Sequence, residues 1–512
     1  MQSIHVFAFV SALSLAPAAA FAADAPPAQP PKALQAGFAE RDITPEIGME
    51  QPGGYGKAFH RSLHDPCKAR AVVFDDGQKR VALVGIDALM IRRPSVERCR
   101  QAIQEKCGIP PAAVLISASH SHSSGPTGMV LPGEFDDASE FVRKLAYEES
   151  SCADAKYLAR VEDQIIDAVV SADRDKVEVV YGVAKGIEDQ VAYNRRFRMR
   201  SGLSATHPGQ GNPDIIESAG PTDPEVGVLG VWNKEGKLLG TIVNFCCHAT
   251  TNPGGISANY IYYLERAVRG VMGADQAVVV FMPGTSGDVT QVNNLSPFAS
   301  PAAEDWARRV GGRVGAEAAK VLLSMPRGDT AAVDYRTTML HVKRRAPSAA
   351  RLDRSLELVR QDRKTADATQ WIFAKEIVLL NERLKKEPVA DVEVQAIQVG
   401  PAVFISNPAE YFCQYGLDIK SGSPFKFTFP VELANDCVGY VPTEEALGPR
   451  GGGYETRLTF YSNLEPTAGR QIADAGIELS RQLTPGPAPV AKPAPPFKGN
   501  GWTYGNLPPE LE

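Results

Sequence analysis

The sequence predicts an α/β protein of mixed α+β layers. Short β-rich apolar runs alternate along the chain with amphipathic helical stretches, which is the pattern of helices layered on sheets rather than of a bundle or a sandwich. Several of the apolar runs end in loops rich in Gly, Ser and Asn. With 512 residues, 44% of them hydrophobic, the chain can bury a large core, as one large unit or as two or three domains.

The N-terminus reads as a targeting segment. An apolar stretch over 6–15 precedes small residues ending in Ala20-Phe21-Ala22, which fits signal-peptide cleavage after residue 22 and a secreted or periplasmic protein. The positions before that stretch offer only His5 as a basic group. No later run approaches the ~20 apolar residues of a membrane helix. Residues 23–35 and 483–512 are rich in Pro and Ala and are expected to be a linker and a tail, leaving 36–482 as the folded body.

Within that body, runs at 71–74 and 80–86 flank Asp76-Gly77, a hairpin signal, and a helical pattern over 94–106 leads to a further apolar run at 113–117. Strand, helix and strand in that order predict a βαβ unit, with functional residues just past the carboxyl ends of its strands. Runs at 226–232 and 238–245 predict two more strands, the second leading directly into Cys246-Cys247-His248. A short buried strand at 277–281 opens into the loop 283–288. Helical faces follow at Trp306, Val310, Val314 and Val321, at Leu352, Leu356 and Val359, and over 371–384. Strands return at 394–399 and 403–405.

Charge and cysteine content narrow the function. The formal net charge is −6, from 54 basic and 60 acidic residues without a basic block, which argues against a nucleic-acid partner. The 8 cysteines are too few for a disulfide-built scaffold. Cys99 and Cys107 are the pair expected to bridge, whereas Cys246 and Cys247 read as core thiols on opposite faces of a strand.

Beyond residue 22 only 7 histidines remain, and His120, His122 and His248 all fall at the ends of apolar strands. A lone histidine there is ordinarily a hydrogen-bonded core residue. The pair His120-Ser121-His122 differs, because the Ser and Gly around it leave two imidazoles room to reach an ion. Zinc takes two or three such ligands with a carboxylate, and a catalytic site keeps one position for water. Spacing alone does not say which carboxylate completes the set.

Several segments together resemble the catalytic domain of the neutral/alkaline non-lysosomal ceramidases: AGFAERDITP (36–45), SASHSHSSGP (117–126), YNR (193–195), NFCCHATT (244–251), PGTSGDV (283–289), NPAE (407–410), and the paired tyrosines Tyr440 and Tyr454 in Gly439-Tyr440 through Tyr454-Glu455. They occur in family order. The resemblance implies a single large zinc-hydrolase domain over 36–482, in which His120, His248, Glu410 and Tyr440 bind one Zn²⁺ per chain. It further implies that His122, Arg195 and Tyr454 line the site and contact the reacting carbonyl or its oxyanion. The implied activity is hydrolysis of the N-acyl amide of ceramide or a ceramide-like lipid by a zinc-activated water. Peripheral contact with a membrane surface is compatible with such a substrate.

Other uses of these residues stay open. Tyr440 and Tyr454 also suit a core, Glu410 a helix cap near Tyr411, and Arg196 reads as a solvated charge. Two departures bear on substrate. Thr290, followed by Gln291-Val292-Asn293, stands where the family has a serine before Pro-Asn, so a nucleophilic or substrate-contacting hydroxyl there is altered; Ser286 is an alternative hydroxyl. The chain is also expected to end where the family's catalytic domain ends. A different amide, lactam or ester is therefore an alternative substrate, and a non-catalytic binding protein a third reading.

Overall fold

The protein is described here by a computed structural model that covers residues 1, 33–363, 365–499 and 507–512. The chain forms two units, Met1–Pro31 and Lys32–Glu512, and all the described elements belong to the second. The expected signal peptide over 1–22 and the linker up to residue 32 lie outside the described residues, apart from Met1.

Eight strands make the larger sheet: β1 (Gln35–Asp42), β2 (Lys68–Asp75), β3 (Arg80–Ile86), β4 (Val114–Ala118), β5 (Val177–Ile187), β6 (Glu225–Asn233), β7 (Leu238–Phe245) and β8 (Val278–Pro283). Their spatial order is β8-β7-β6-β5-β1-β2-β3-β4. The hairpin between β2 and β3 turns where Asp76-Gly77 predicts it. Asp76 Oδ1 accepts the amides of Gln78 and Lys79 while Gly77 takes a left-handed φ of 81°. The helix Arg93–Cys107 then carries the chain to β4, which runs parallel to β3 and completes the βαβ unit.

The sheet is not flat. β1 and β5 share only the register pairs at Gln35 and Ala36, and at that narrow join the sheet folds so that β8 lies across β3. Gly85 permits this approach, because a side chain there would collide with the carbonyl of Phe281.

A second sheet holds β9 (Val333–Lys343), β10 (Val389–Val399), β11 (Ala402–Ser406) and β12 (Phe427–Val431) in that order, with β11 and β12 parallel. Apolar residues of both sheets, such as Val84, Ile116, Val280, Phe404 and Phe429, join in one buried core. The architecture is therefore the mixed α/β layering that the sequence predicts.

Parallel pairing has one consequence for the site. β3 and β4, β7 and β8, and β11 and β12 are parallel pairs, and the residues just past β4, β7, β8, β11 and β12 meet at one place. Among the described residues no helix is long and apolar enough to cross a membrane.

Two expectations are corrected. Cys99 and Cys107 lie on one helix, eight positions or ~12 Å of rise apart, too far for a disulfide; their thiols contact the carbonyls of Glu162 and Ile103 instead. Arg196 is not a solvated charge but 2% exposed, donating to the Gly452 carbonyl at 2.8 Å and lying 5.1 Å from the Phe412 ring centroid. It opens the short strand Arg196–Met199, and Arg195 just before that strand is buried as well.

Candidate metal centre

Three histidines face one another at the strand ends. β4 ends at Ala118, and two residues on, His120 adopts a left-handed φ of 63° that turns the chain sharply toward His122. His248 lies three residues past the end of β7. His120 Nε2 stands 3.0 Å from His248 Nε2 and 3.2 Å from His122 Nε2. Glu410, four residues past β11, places Oε2 3.2 Å from both His120 Nε2 and His248 Nε2. All these side chains are buried except His122, which is half-buried.

The far nitrogens fix the protonation. His120 Nδ1 donates to the Leu89 carbonyl at 3.0 Å and His248 Nδ1 to the Ser286 carbonyl at 2.8 Å. Carbonyls only accept, so each Nδ1 carries the hydrogen and each Nε2 presents a lone pair to the centre. Two lone pairs and a carboxylate oxygen thus face each other, and Glu410 Oε2 has no hydrogen-bond donor. Such a donor set calls for a cation at its middle, and His120, His122 and His248 could hold a metal ion.

The electrostatics agree. Burial would push the Glu410 carboxyl up, but His120 and His248 hold it well below the usual carboxylate range. Burial likewise opposes a charge on His120, yet Glu410 outweighs it and shifts the imidazole up. Burial and the neighbouring histidines hold His122 well down, while burial and Arg195 lower His248 to about 3.

Arg195 closes one side. Its Nε donates to Glu455 at 2.9 Å, and its Nη2 to the Gly287 carbonyl at 2.7 Å and the Tyr440 hydroxyl at 3.1 Å, while Nη1 lies 3.4 Å from His248 Nε2. Tyr440 is the register partner of Glu410 in a short parallel pair, so their side chains leave the same face. Its hydroxyl meets that of Tyr454 at 3.0 Å. Burial raises both phenols, Tyr440 well up with Glu410 adding to the effect.

A cavity of about 150 Å³ opens beside the cluster, lined by Tyr55, His122, Met129, Tyr440, Tyr454 and Tyr461 among others. The structure thus gathers His120, His122, His248, Glu410, Arg195, Tyr440 and Tyr454 at one place. It does not bring Thr290 to the cavity lining: that residue is buried, and its hydroxyl accepts the Val292 amide at 3.0 Å. Nor does Glu410 cap a helix, since the next one, Cys413–Gly422, starts after Phe412 with no side-chain cap. Ser286 is committed as a donor to Glu432 at 2.5 Å.

Other parts of the centre carry no sign in the sequence. The Leu89 and Ser286 carbonyls act through main chain, and Glu432 is one acid among 60. The run Pro52-Gly-Gly-Tyr-Gly56 did carry a signal, a glycine turn around an aromatic. Tyr55 forms a cavity wall, its carbonyl gripped by the buried Lys375 ammonium. Gly53, at φ 109°, leaves the space that the His122 ring fills.

These strand ends and their imidazoles define a mixed α/β protein with a buried centre suited to a metal ion. Solved structures share the architecture. The chain aligns with the crystal structure of neutral ceramidase from Pseudomonas aeruginosa at a TM-score of 0.64 and 18% identity, over 90% of this chain and 77% of that one. It aligns with a ceramidase complexed with C2 at 0.63 and 17%, with the same coverage. No family model matches the chain, and no curated protein matches it in sequence. The likeness is one of fold.

Proposed function

We propose that this protein is a secreted, zinc-dependent amide hydrolase that cleaves the N-acyl bond of ceramide or a ceramide-like lipid. The observation that carries the reading is the convergence of His120, His248 and Glu410 on one point beside a cavity walled by Arg195's partners Tyr440 and Tyr454. His120, His248, Glu410 and Tyr440 would hold the ion. When bound, zinc supplies a Lewis acid that polarises a carbonyl and acidifies water.

The remaining roles belong to the chain. Arg195, locked by Glu455 and Gly287, aims a fixed cation at the developing oxyanion and needs no reorganisation to do so. The Tyr454 hydroxyl, held by Tyr440, is a second donor to the same oxygen. His122 is the imidazole of the three whose Nδ1 makes no main-chain bond, so it is free to pass a proton to the departing amine. Walls of tyrosine and Met129 keep bulk water from the reacting carbonyl.

The cavity favours a second reading of the substrate. At about 150 Å³ it encloses an amide and a few carbons, less than the ~300–1,000 Å³ of pockets that enclose whole ligands. Long acyl chains would lie outside it, and an amide smaller than ceramide suits it as well. The test is elemental analysis of the purified protein followed by fatty-acid release from ceramide and simpler N-acyl amides. About one zinc per chain with release from at least one amide is expected, and a metal-free protein inert toward all of them would end the proposal.

A further inference from the structure

The cavity beside the metal centre has a closed end and an open one. Leu89, Met129, Tyr440 and Tyr461 line it and are buried, whereas Gly53, Tyr55, His122 and Tyr454 are half-buried and Gly54 is exposed. The second set is therefore its mouth and the first its floor. The floor offers apolar surface, because its polar atoms are already engaged. The Tyr440 hydroxyl meets Arg195 and Tyr454, the Tyr461 hydroxyl lies 3.2 Å from Cys437 Sγ, and the Leu89 carbonyl accepts from His120 Nδ1.

One residue of the floor is held against its backbone preference. Met129 has a φ of 138°, a value that residues other than glycine rarely adopt. Its surroundings fix it there: Arg92 Nη1 donates to the Met129 carbonyl at 2.9 Å, and the next amide, of Val130, donates to the Ser151 carbonyl at 3.2 Å. Glycine would sit at this position without strain. What methionine adds is a flexible thioether that packs with Leu89, Tyr440 and Tyr461 in one apolar cluster and closes the cavity.

The site of proton transfer decides which half of an amide faces that floor. His122, which passes a proton to the departing amine, stands at the mouth. The amine half of the substrate then points outward past Gly53 and Gly54, and the acyl half points inward.

We propose that Met129 is a specificity-determining residue that closes the acyl end of the cavity, making the substrate an N-acyl amide with a short acyl group, of about two to six carbons, on an amine of open length. This rests on the hydrolase reading above and narrows it. With about 150 Å³ in all, the cavity has no room for a long acyl chain inward of Met129, while a long amine leaves through the mouth. In the reaction the acyl C–N bond breaks, the hydroxyl of water joins the acyl carbon, and the remaining hydrogen goes to the amine nitrogen.

The test runs the 4-nitroanilides of acetic, butanoic, hexanoic, octanoic and dodecanoic acids on the metal-loaded full chain. We expect kcat/KM to rise by about fourfold per methylene while the chain still fits, to peak at butanoyl or hexanoyl, and to fall by about tenfold or more at dodecanoyl. Met129→Gly, which relieves the backbone and opens the floor, should move the peak to octanoyl or longer. Met129→Ala, which keeps the backbone and shortens the side chain, should move it the same way, and Met129→Leu should leave it in place. N-acetylbutylamine and N-acetyldodecylamine should differ by less than about threefold. A wild-type peak at dodecanoyl, a peak unmoved in both Met129→Gly and Met129→Ala, or a steeper dependence on amine length than on acyl length would overturn the proposal.

If no amide is cleaved, calorimetric titration with butanoate and octanoate reads the floor without turnover. Butanoate bound more tightly than octanoate by wild type, with the order reversed in Met129→Gly, sustains the floor and removes only the hydrolase reading. Any other order overturns the floor itself.

Discussion

Ser286 donates its hydroxyl to Glu432 at 2.5 Å while its carbonyl accepts His248 Nδ1 at 2.8 Å. The other carboxyl oxygen of Glu432 accepts the Tyr411 amide at 3.0 Å, next to Glu410. One fully buried carboxyl group therefore ties the loop that orients one imidazole to the strand that carries the carboxylate. We expect Glu432→Ala to weaken zinc retention by about 10- to 100-fold, the scale for losing an outer-shell partner, and Glu432→Gln to lose less because its amide oxygen still accepts the Ser286 hydroxyl. Chelator competition measures this, and equal retention in wild type and both variants would deny Glu432 that role.

Replacing the histidines separates holding the ion from using it. His120→Ala and His248→Ala should come out of purification without zinc, while His122→Ala and Arg195→Ala keep it and lose about 10² in kcat. The Nε2 distances also permit His122 to be a third nitrogen ligand. Loss of zinc from His122→Ala as complete as from His120→Ala would establish that.

Thr290 tests which group attacks. Its hydroxyl already accepts a main-chain amide, so Thr290→Val should leave most of the chemical rate, in line with attack by an activated water. A loss of kcat beyond about 10³, with zinc retained and Thr290→Ser active, would make the hydroxyl the nucleophile.

Much of this centre was legible because its side chains sit where periodic signals stop. β7 matches the expected run over 238–245 residue for residue, and His248 follows it; β4 and His120 stand in the same relation. The helix Ala155–Arg174 and the strand β5 went unread, although Asp154 caps the helix through the amides of Lys156 and Tyr157. The fold of the larger sheet at the β1–β5 join was invisible for a physical reason. It depends on strands far apart in sequence and on the missing side chain of Gly85, which no local period reports. The burial of Arg196 is not legible because both neighbouring arginines are buried, and the Gly452 carbonyl and Phe412 ring that receive the second lie more than two hundred residues along the chain.

Gly53 offers a test of the cavity wall. A methyl group there would overlap the His122 ring, and φ of 109° strains any side chain. Gly53→Ala should displace His122 and lower turnover by about the same 10² as His122→Ala, with zinc kept. Turnover within threefold of wild type would show that the ring position is immaterial.

Away from the site, Glu265 predicts an acid dependence of stability. Burial raises its carboxyl, but Arg70, Lys68 and Arg269 overcome that and bring it down to about 2. A folded value below the unfolded ~4.3 means stabilisation that is present above that pH and lost as the pH falls toward 2. Urea denaturation should find Glu265→Gln less stable by about 3 kcal/mol at pH 7, with the gap narrowing below pH 4. A gap that stays constant to pH 3 would contradict the assignment.

Because the donors hang from the ends of strands spread between residues 118 and 440, the centre has no local precursor. His120 and His248 cannot meet until the larger sheet has folded over, and Glu410 cannot join them until the second sheet is in place. Each closure spans well over a hundred residues, the slow class of contact in folding. A chain still leaving the ribosome, or cut short before Tyr440, has only scattered imidazoles to offer. Capture of an ion at this centre would thus mark the completion of folding, and a partly folded chain would be silent to it.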